Sequence, residues 1–313
     1  MKPSCIKKDI LATLTYFNMF DYPLTKREIS VFLGHTVQWP EFEQALNLLV
    51  NERAIFRMED FYSLNDHHTL VTRRNRGNEK AGVMLKQAEK AAAVLSAFPF
   101  VIGVAVSGSL SKRFADDAAD IDFFIITSAN RLWLARSFLH AFKKITYLFN
   151  KQHLYCMNYF IDEAEPRILE ENIYTATEVA TILPLRGSAV FEMFYSANKW
   201  TKDFLPNNYM HIFCPKEIKR TWIRSITEKI LDNQVGNFLD NFLMTLTAKS
   251  WDAKTRRNRK TGKGILMSLH TGKHFAKPHP ANFQRRLLQR YSKSLEEVLD
   301  QYELSGKLKN KLL

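Results

Sequence analysis

Two aspartates separated by one residue have the spacing of a metal site. Asp120 and Asp122 flank Ile121 at the start of an apolar run that reads DIDFFIIT. Because side chains alternate along a strand, both carboxylates point to one side, while Ile121 and Phe123 point into a core. Two carboxylates this close repel each other, and a divalent cation between them makes the arrangement favourable. Mg²⁺ accepts such oxygen ligands together with substrate phosphates, so the pair predicts a magnesium site.

A second apolar run, VIGVAV, leads into a Gly-Ser pair with the character of a phosphate-binding turn. Ten residues separate the pair Gly108-Ser109 from Asp120. Glycine lets the backbone approach a ligand closely, and the free N–H groups of a helix start can hold a phosphate. Lys112, one turn on, adds a positive charge for the same anion. A phosphate-binding turn together with metal-binding carboxylates predicts nucleotide chemistry.

In this order and spacing, the two motifs resemble the nucleotidyltransferase superfamily typified by DNA polymerase beta. The resemblance covers residues 100–165. It implies an α+β fold with a mixed-sheet core, a nucleoside triphosphate donor (ATP is expected), two Mg²⁺ ions and transfer of a nucleotidyl group to an acceptor. By this match Gly108 and Ser109 would hold the triphosphate, with Lys112 beside them. Asp120 and Asp122 would bind the metals and act in catalysis.

The family usually places a third carboxylate on a later strand, where it helps to activate the attacking hydroxyl. The candidate strand is LYCMNYFID, and its middle carries Asn158, which cannot act as a base. Asp162 would lie on the same face of the strand as Asn158, but at the end of the strand. Two metals held by two carboxylates can still polarise a phosphate. The sequence therefore leaves two functions open: an active nucleotidyltransferase, or a degenerate core that serves as a nucleic-acid-binding or regulatory module.

Charge is concentrated in one segment. The chain has a formal net charge of +13, and residues 249–293 contain thirteen Lys/Arg against one acid, Asp252. Such a segment attracts phosphate-rich partners through counterion release, so RNA or another phosphate-rich acceptor is a candidate partner. The expected contact residues are four: Arg256, Arg257, Arg259 and Lys260.

The composition indicates a folded cytoplasmic protein. The chain has 313 residues with 46% apolar residues, and the start MKPSCIKKD lacks the apolar region of a secretory signal. No apolar stretch approaches the length of a membrane span. The three cysteines, Cys5, Cys156 and Cys214, are far apart and read as reduced thiols.

The chain divides into four predicted regions. Residues 1–65 show three helices and a hairpin around Glu59-Asp60, a pattern that resembles a winged helix. Its third helix, EFEQALNLLVNE, is acidic and a poor reader of DNA, so protein contact is the alternative role. The remaining regions are a linker with a helix, the nucleotidyltransferase-like core and a helical C-terminal region: 66–98, 99–165 and 166–313.

Several features inside these regions lead to further structural predictions. Residues 66–79 read as a polar linker, and NIYTATEVATILPL as a helix. The sequence leaves three roles open for Glu178 in that helix: it faces a cleft, it caps the helix, or it lies on the surface. Residues 217–251 predict one long amphipathic helix, bent at Gly236.

Three histidines lie among the basic residues near the C-terminal end: His270, His274 and His279. They indicate anion contact rather than metal binding, because no carboxylate accompanies them in sequence.

A wider likeness runs through most of the chain. The segments SGSLSK, DIDFFIIT, RLWLAR, NYFID and TATE are similar to those of little-characterised bacterial proteins with a nucleotidyltransferase domain. This likeness implies no known acceptor.

Overall fold

The computed structural model describes residues 3–150, 152–208, 215–256, 269–278 and 283–311. Within them the protein is α+β. The helices are α1 Pro3–Asn18, α2 Lys26–Val31, α3 Trp39–Asn51, α4 His68–Leu95, α5 Gly108–Ser111, α6 Leu132–Tyr147, α7 Ile173–Ala180, α8 Ser188–Ala197, α9 Thr201–Phe204, α10 Trp222–Leu231, α11 Gln234–Arg256 and α12 Phe283–Lys311. The strands are β1 Leu24–Thr25, β2 Phe56–Met58, β3 Phe61–Ser63, β4 Val101–Val106, β5 Asp122–Thr127, β6 Cys156–Asp162, β7 Leu183–Arg186, β8 Leu269–Thr271 and β9 Phe275–Pro278.

A mixed six-stranded sheet forms the centre of the molecule, in the order β7-β4-β5-β6-β9-β8. Strands β5 and β6 are parallel and α6 connects them, whereas the other pairs are antiparallel. The residues of β5 alternate between two apolar cores. Phe123 and Ile125 join the core that contains α4 and α6, while Phe124 and Ile126 join the core that contains α7 and α8. A strand buried on both faces fits the continuous apolar run FFII.

The first three helices and a small sheet, ordered β1-β3-β2, form an N-terminal module. Thr25 and Glu28 make the capping box that their spacing indicates: each side chain accepts a hydrogen bond from the backbone N–H of the other. Strands β2 and β3 pair antiparallel around Glu59-Asp60, which confirms the predicted hairpin.

The linker predicted at residues 66–79 is wrong, because α4 runs unbroken from His68 to Leu95. Of the three arginines in this stretch, Arg74 is buried, Arg73 is half-buried and Arg76 is exposed. The side chain of Arg74 is only 3% exposed, lies 2.6 Å from Glu28 and donates to the Pro23 carbonyl at 2.7 Å. Arg73 pairs with an exposed aspartate, Asp116, at 2.9 Å. A helix packed against its neighbours can carry cations when acidic partners distant in sequence neutralise them. The composition of the segment does not reveal such partners.

The C-terminal region is not purely helical. Where a continuous helix was expected, α7 ends at Ala180 and β7 pairs with β4 at the sheet edge, a position that tolerates Pro184. Strand β9 pairs with β6 through Phe160 and Ala276, so residues on both sides of position 166 build one sheet.

The long helix predicted for residues 217–251 is two helices, α10 and α11. The break falls before Gly236. The Asn233 side chain accepts hydrogen bonds from the N–H groups of Val235 and Gly236, which begins a new helix there.

The last helix, α12, packs against the first helix, α1. Tyr291 on α12 stacks edge-on against Tyr16 of α1, and Leu287 enters the core of the N-terminal module. Lys8 and Glu303 form an exposed pair at 2.8 Å between the same two helices. Among the described residues, no helix has both the length and the hydropathy that a membrane span requires.

Candidate functional site

The two sequence motifs meet where β4 ends and β5 begins. After β4, Ser107 donates its N–H to the Asp122 carbonyl at 2.9 Å. Gly108 follows with a φ of +69°, in the left-handed region that favours glycine. A Cβ atom on Gly108 would lie 3.1 Å from Asp122 Oδ2. The glycine therefore allows the turn to approach the Asp122 carboxylate directly.

The two aspartates differ in environment. Asp122 is half-buried at the first position of β5, and Asp120 is exposed just before the strand. Ile121 between them is 1% exposed, in agreement with the predicted alternation. Two carboxylates that flank a buried residue supply the hard oxygen ligands that a magnesium ion accepts.

Asn158, one of the two predicted third-position residues, contacts Asp122. The β5–β6 register shifts between Phe123 and Phe124, and Asn158 is the extra residue of β6 at that shift. Its side-chain NH₂ donates to Asp122 Oδ1 at 2.5 Å. The residue thus contacts the Asp122 side chain as a hydrogen-bond donor, and an amide cannot take up a proton.

Cys156 lies beside this pair and is not a nucleophile. Burial raises the pKa of its thiol to about 11, and the charges of Asp122 and Asp120 act in the same direction. The thiol contacts Asn158 Oδ1 at 3.4 Å and stays neutral at physiological pH.

Asp162, the other predicted third-position residue, lies at the far end of β6. It pairs in register with Thr127, five positions along β5 from Asp122 and hence roughly 17 Å away. The residue is fully buried, accepts from the Asn130 N–H at 2.9 Å and contacts His274 Nδ1 at 2.9 Å. The structure does not bring Asp162 to Asp122.

The same contact changes the interpretation of the histidines. His274 pairs with a carboxylate that is distant in sequence, so the expected anion contact is wrong for this residue. His270 packs edge-on against Phe275, and His279 lies outside the described residues.

The remaining phosphate-binding candidates are Ser109 and Lys112. Ser109 is exposed on α5, and its carbonyl accepts the Lys112 N–H at 3.0 Å. The Lys112 ammonium donates to the Gly108 carbonyl at 3.0 Å and to Glu178 Oε1 at 2.7 Å. Tyr22 of the N-terminal module donates to the Lys112 carbonyl at 2.6 Å, which ties that module to the turn.

A cavity of about 270 Å³ lies beside the turn, with Gly108 and Asp122 in its lining. Its volume is near the lower end of the range for small-molecule sites. Ser107, Gly108, Asp122, Asn158 and Glu178 line one part. The other part is largely apolar and aromatic, and is lined by Phe124, Tyr159, Ile168, Tyr174, Val179, Ile182 and Phe283.

A second ion pair, Glu170 with Lys277, lies in the wall of the cavity. Burial raises the pKa of Glu170, but the hydrogen bond and charge of Lys277 outweigh it, so the pKa lies below its ordinary value. Burial and the nearby Glu170 raise the pKa of Tyr159, which therefore keeps its proton. Glu170 and Lys277 were not predicted, because they meet only through the β6–β9 pairing.

The basic contact residues can be described only in part. Arg256 is exposed at the end of α11, while Arg257, Arg259 and Lys260 lie outside the described residues. Other cations of the basic segment are exposed at the start of α12, next to the cavity-lining Gln284: Arg285, Arg286, Arg290 and Lys293.

A separate group of possible metal ligands occurs on the N-terminal module. Ligand atoms of Cys5, Asp9 and His35 lie within 4.8 Å of one another, and Asp9 contacts His35 Nδ1 at 2.7 Å. A thiolate and an imidazole suit zinc rather than magnesium, so this group is distinct in chemistry from the Asp120–Asp122 pair.

Comparisons of this chain with protein families, with curated proteins and with solved structures found no match.

Proposed function

We propose that the protein is a Mg²⁺-dependent nucleotidyltransferase that takes a nucleotidyl group from a nucleoside triphosphate, with ATP the expected donor. The observation that carries the proposal is the close approach of Gly108 to Asp122. A left-handed glycine leaves 3.1 Å between a virtual Cβ and the Asp122 carboxylate, at the start of α5.

Each residue of the turn has a proposed role. The backbone at Gly108 and Ser109 would bind the β- and γ-phosphates, and Lys112 would neutralise their charge. Asp120 and Asp122 would hold the magnesium ions. Bound there, Mg²⁺ would polarise the α-phosphate and neutralise the leaving pyrophosphate. The aromatic part of the cavity would take the base or the acceptor.

The architecture supports the same family. The resemblance implies a mixed sheet in which the Gly-Ser turn follows one strand and the Asp pair begins the next. Strands β4, β5 and β6 have that arrangement. An N-terminal unit of three helices and a small sheet precedes the core, as expected for a winged-helix-like module.

Calorimetric titration of ATP in the presence and absence of Mg²⁺ tests the proposal without knowledge of the acceptor. We expect the wild type to bind ATP only with Mg²⁺. Asp122→Asn should weaken the binding by at least about a hundredfold, because it removes a direct metal ligand. The melting temperature should change by no more than about 2 °C, since the amide keeps the shape of the side chain.

Asp117→Asn is the matched control. Asp117 lies in the same loop, but its side chain is 73% exposed and pairs with an exposed arginine, Arg76. This variant should bind MgATP like the wild type. Equal binding by Asp122→Asn and Asp117→Asn would refute the assignment of the site.

A second candidate function rests on Asn158 and on the exposed cations of α12. A core without the third carboxylate, next to exposed arginines at the cavity mouth, fits a nucleic-acid-binding or regulatory protein. The two functions coincide if the acceptor is RNA. Absence of MgATP binding together with salt-dependent RNA binding would favour the second function.

A further inference from the structure

The ammonium of Lys112 has two partners on different elements, one in the turn after β4 and one on α7. It donates to the Gly108 carbonyl at 3.0 Å and to the Glu178 carboxylate at 2.7 Å. The Lys112 and Glu178 side chains are mostly covered, with 14% and 28% of their surfaces exposed. The pair therefore joins α7 to the proposed triphosphate site, and it holds Lys112 beside the turn.

Glu178 faces the same cavity as the metal-binding aspartate. Both line it together with Tyr174: burial raises the pKa of the Tyr174 hydroxyl, and the charges of Glu178 and Asp122 raise it further. Asn158 contacts Asp122 but cannot accept a proton. Glu178 is thus a carboxylate of this cavity placed to do what the strand residue cannot.

A nucleoside triphosphate would compete with Glu178 for Lys112. The triphosphate carries several negative charges and would lie over Gly108, within reach of an ammonium that is 3.0 Å from that residue's carbonyl. Glu178 offers one negative charge. Once Lys112 turns to the phosphates, the Glu178 carboxylate loses its ion-pair partner, and its oxygens can accept a hydrogen bond from another group in the cavity.

We propose that Lys112 exchanges Glu178 for the bound triphosphate, and that the released Glu178 accepts the proton of the acceptor hydroxyl. This inference rests on the proposed function. Glu178 then replaces the missing strand carboxylate from a different element, the helix α7. The exchange also links the two substrates, because the base is free only when the donor is bound.

The chemical step balances within the site. A lone pair of the acceptor oxygen forms a bond to the α-phosphorus, and the hydroxyl proton moves to the Glu178 carboxylate. The bond between the α-phosphorus and the bridging oxygen breaks, and pyrophosphate leaves with that electron pair. No oxidant or further reactant is needed.

A double-mutant cycle on binding tests the exchange. Titrations with inorganic tripolyphosphate and with MgATP compare the wild type, Glu178→Gln, Lys112→Met and the double variant. Glu178→Gln should bind tripolyphosphate about five-fold more tightly, because Lys112 no longer has a competing charge. Lys112→Met should bind it more weakly. The double variant should match Lys112→Met, since the gain from Glu178→Gln requires the lysine.

Glu43→Gln is the control, because it breaks another lysine–glutamate pair, Lys26–Glu43 at 2.5 Å, on the N-terminal module. It should leave tripolyphosphate affinity unchanged. The amide introduced by Glu178→Gln can still accept a hydrogen bond from Lys112, so this variant should fold, and thermal melting checks this. An unchanged or weaker affinity in folded Glu178→Gln would overturn the exchange.

Pyrophosphate release with water as the acceptor tests the role as base. At saturating MgATP, Glu178→Gln should release pyrophosphate at least about a hundredfold more slowly than the wild type, although it binds the donor more tightly. If Glu178 had only a structural role, Glu178→Gln would lower MgATP affinity and the rate of pyrophosphate release together. An unchanged rate, or a parallel loss of affinity and rate, would overturn the role of Glu178 as base. Failure of the proposed function is distinguishable: in that case neither the wild type nor Glu178→Gln binds MgATP.

Discussion

The side-chain amide of Asn158 sets the charge around Asp122. By donating to Asp122 Oδ1 at 2.5 Å, it holds the aspartate in place without adding a second negative charge against it. A carboxylate at this position would lie in direct contact with Asp122, and only a cation would make that contact favourable. The amide therefore keeps the site stable without a metal.

Asn158→Asp should lower the stability of the metal-free protein and raise its affinity for Mg²⁺. Without Mg²⁺ we expect a melting temperature about 2–5 °C below that of the wild type, because two carboxylates repel at hydrogen-bond distance. With Mg²⁺ the melting temperature should rise more than in the wild type, since the ion binds the folded state more tightly. Differential scanning calorimetry with and without Mg²⁺ measures both shifts.

Asn158→Ala separates the effect of a charge at position 158 from the effect of losing the hydrogen bond to Asp122. It loses the bond to Asp122 but adds no charge, so its Mg²⁺-dependent rise should not exceed that of the wild type. An equal Mg²⁺ response in Asn158→Asp and Asn158→Ala would contradict the placement of position 158 beside the metal site.

At the scale of elements, the junction of β4, α5 and β5 depends on one backbone conformation. Gly108→Ala should cost about 1–3 kcal/mol of unfolding free energy, because alanine is strained at a φ of +69°. The new methyl group would also press on Asp122, so MgATP binding should be lost. Denaturant unfolding and calorimetric titration measure the two effects.

Gly82→Ala provides the comparison within the same chain. Gly82 is exposed on α4, with no atom within 4 Å of a virtual Cβ. Alanine there should stabilise the protein by about 0.5–1 kcal/mol and leave nucleotide binding intact. If both alanine variants behaved alike, the special role of the left-handed turn would be disproved.

Features determined by neighbouring residues could be predicted from the sequence. The Thr25–Glu28 capping box and the parity around Ile121 follow from local geometry, and both are present. Features that depend on distant partners could not be predicted. Arg74 is buried because Glu28 pairs with it, and Lys112 meets Glu178 across 66 positions of chain. Charge patterns in sequence do not specify which opposite charge a side chain meets.

On the scale of the whole molecule, positive charge gathers near the mouth of the cavity. The first turns of α12 expose Arg285, Arg286 and Arg290, next to the cavity-lining Gln284. Because such cations release counterions on binding a phosphate backbone, affinity for RNA should fall steeply with salt. Replacement of the three arginines by glutamine should reduce the slope of log K against log salt by roughly 0.7 for each RNA phosphate that the variant no longer neutralises.

Fluorescence anisotropy with a mixed-sequence single-stranded RNA, over a range of salt concentrations, measures the slope. The control variant replaces three exposed lysines elsewhere, Lys86, Lys90 and Lys199, and so loses the same charge. It should keep a slope close to that of the wild type. Equal slopes for the two triple variants would show that the binding reflects net charge alone and not the cavity mouth.

The packing of α1 against α12 has a consequence for biosynthesis. The face of α1 that carries Tyr16 is covered by Tyr291, which the ribosome adds about 275 residues later. At about 5–20 residues per second, this interval lasts roughly 14–55 s. During that time the nascent chain exposes an aromatic surface that its own later residues will cover.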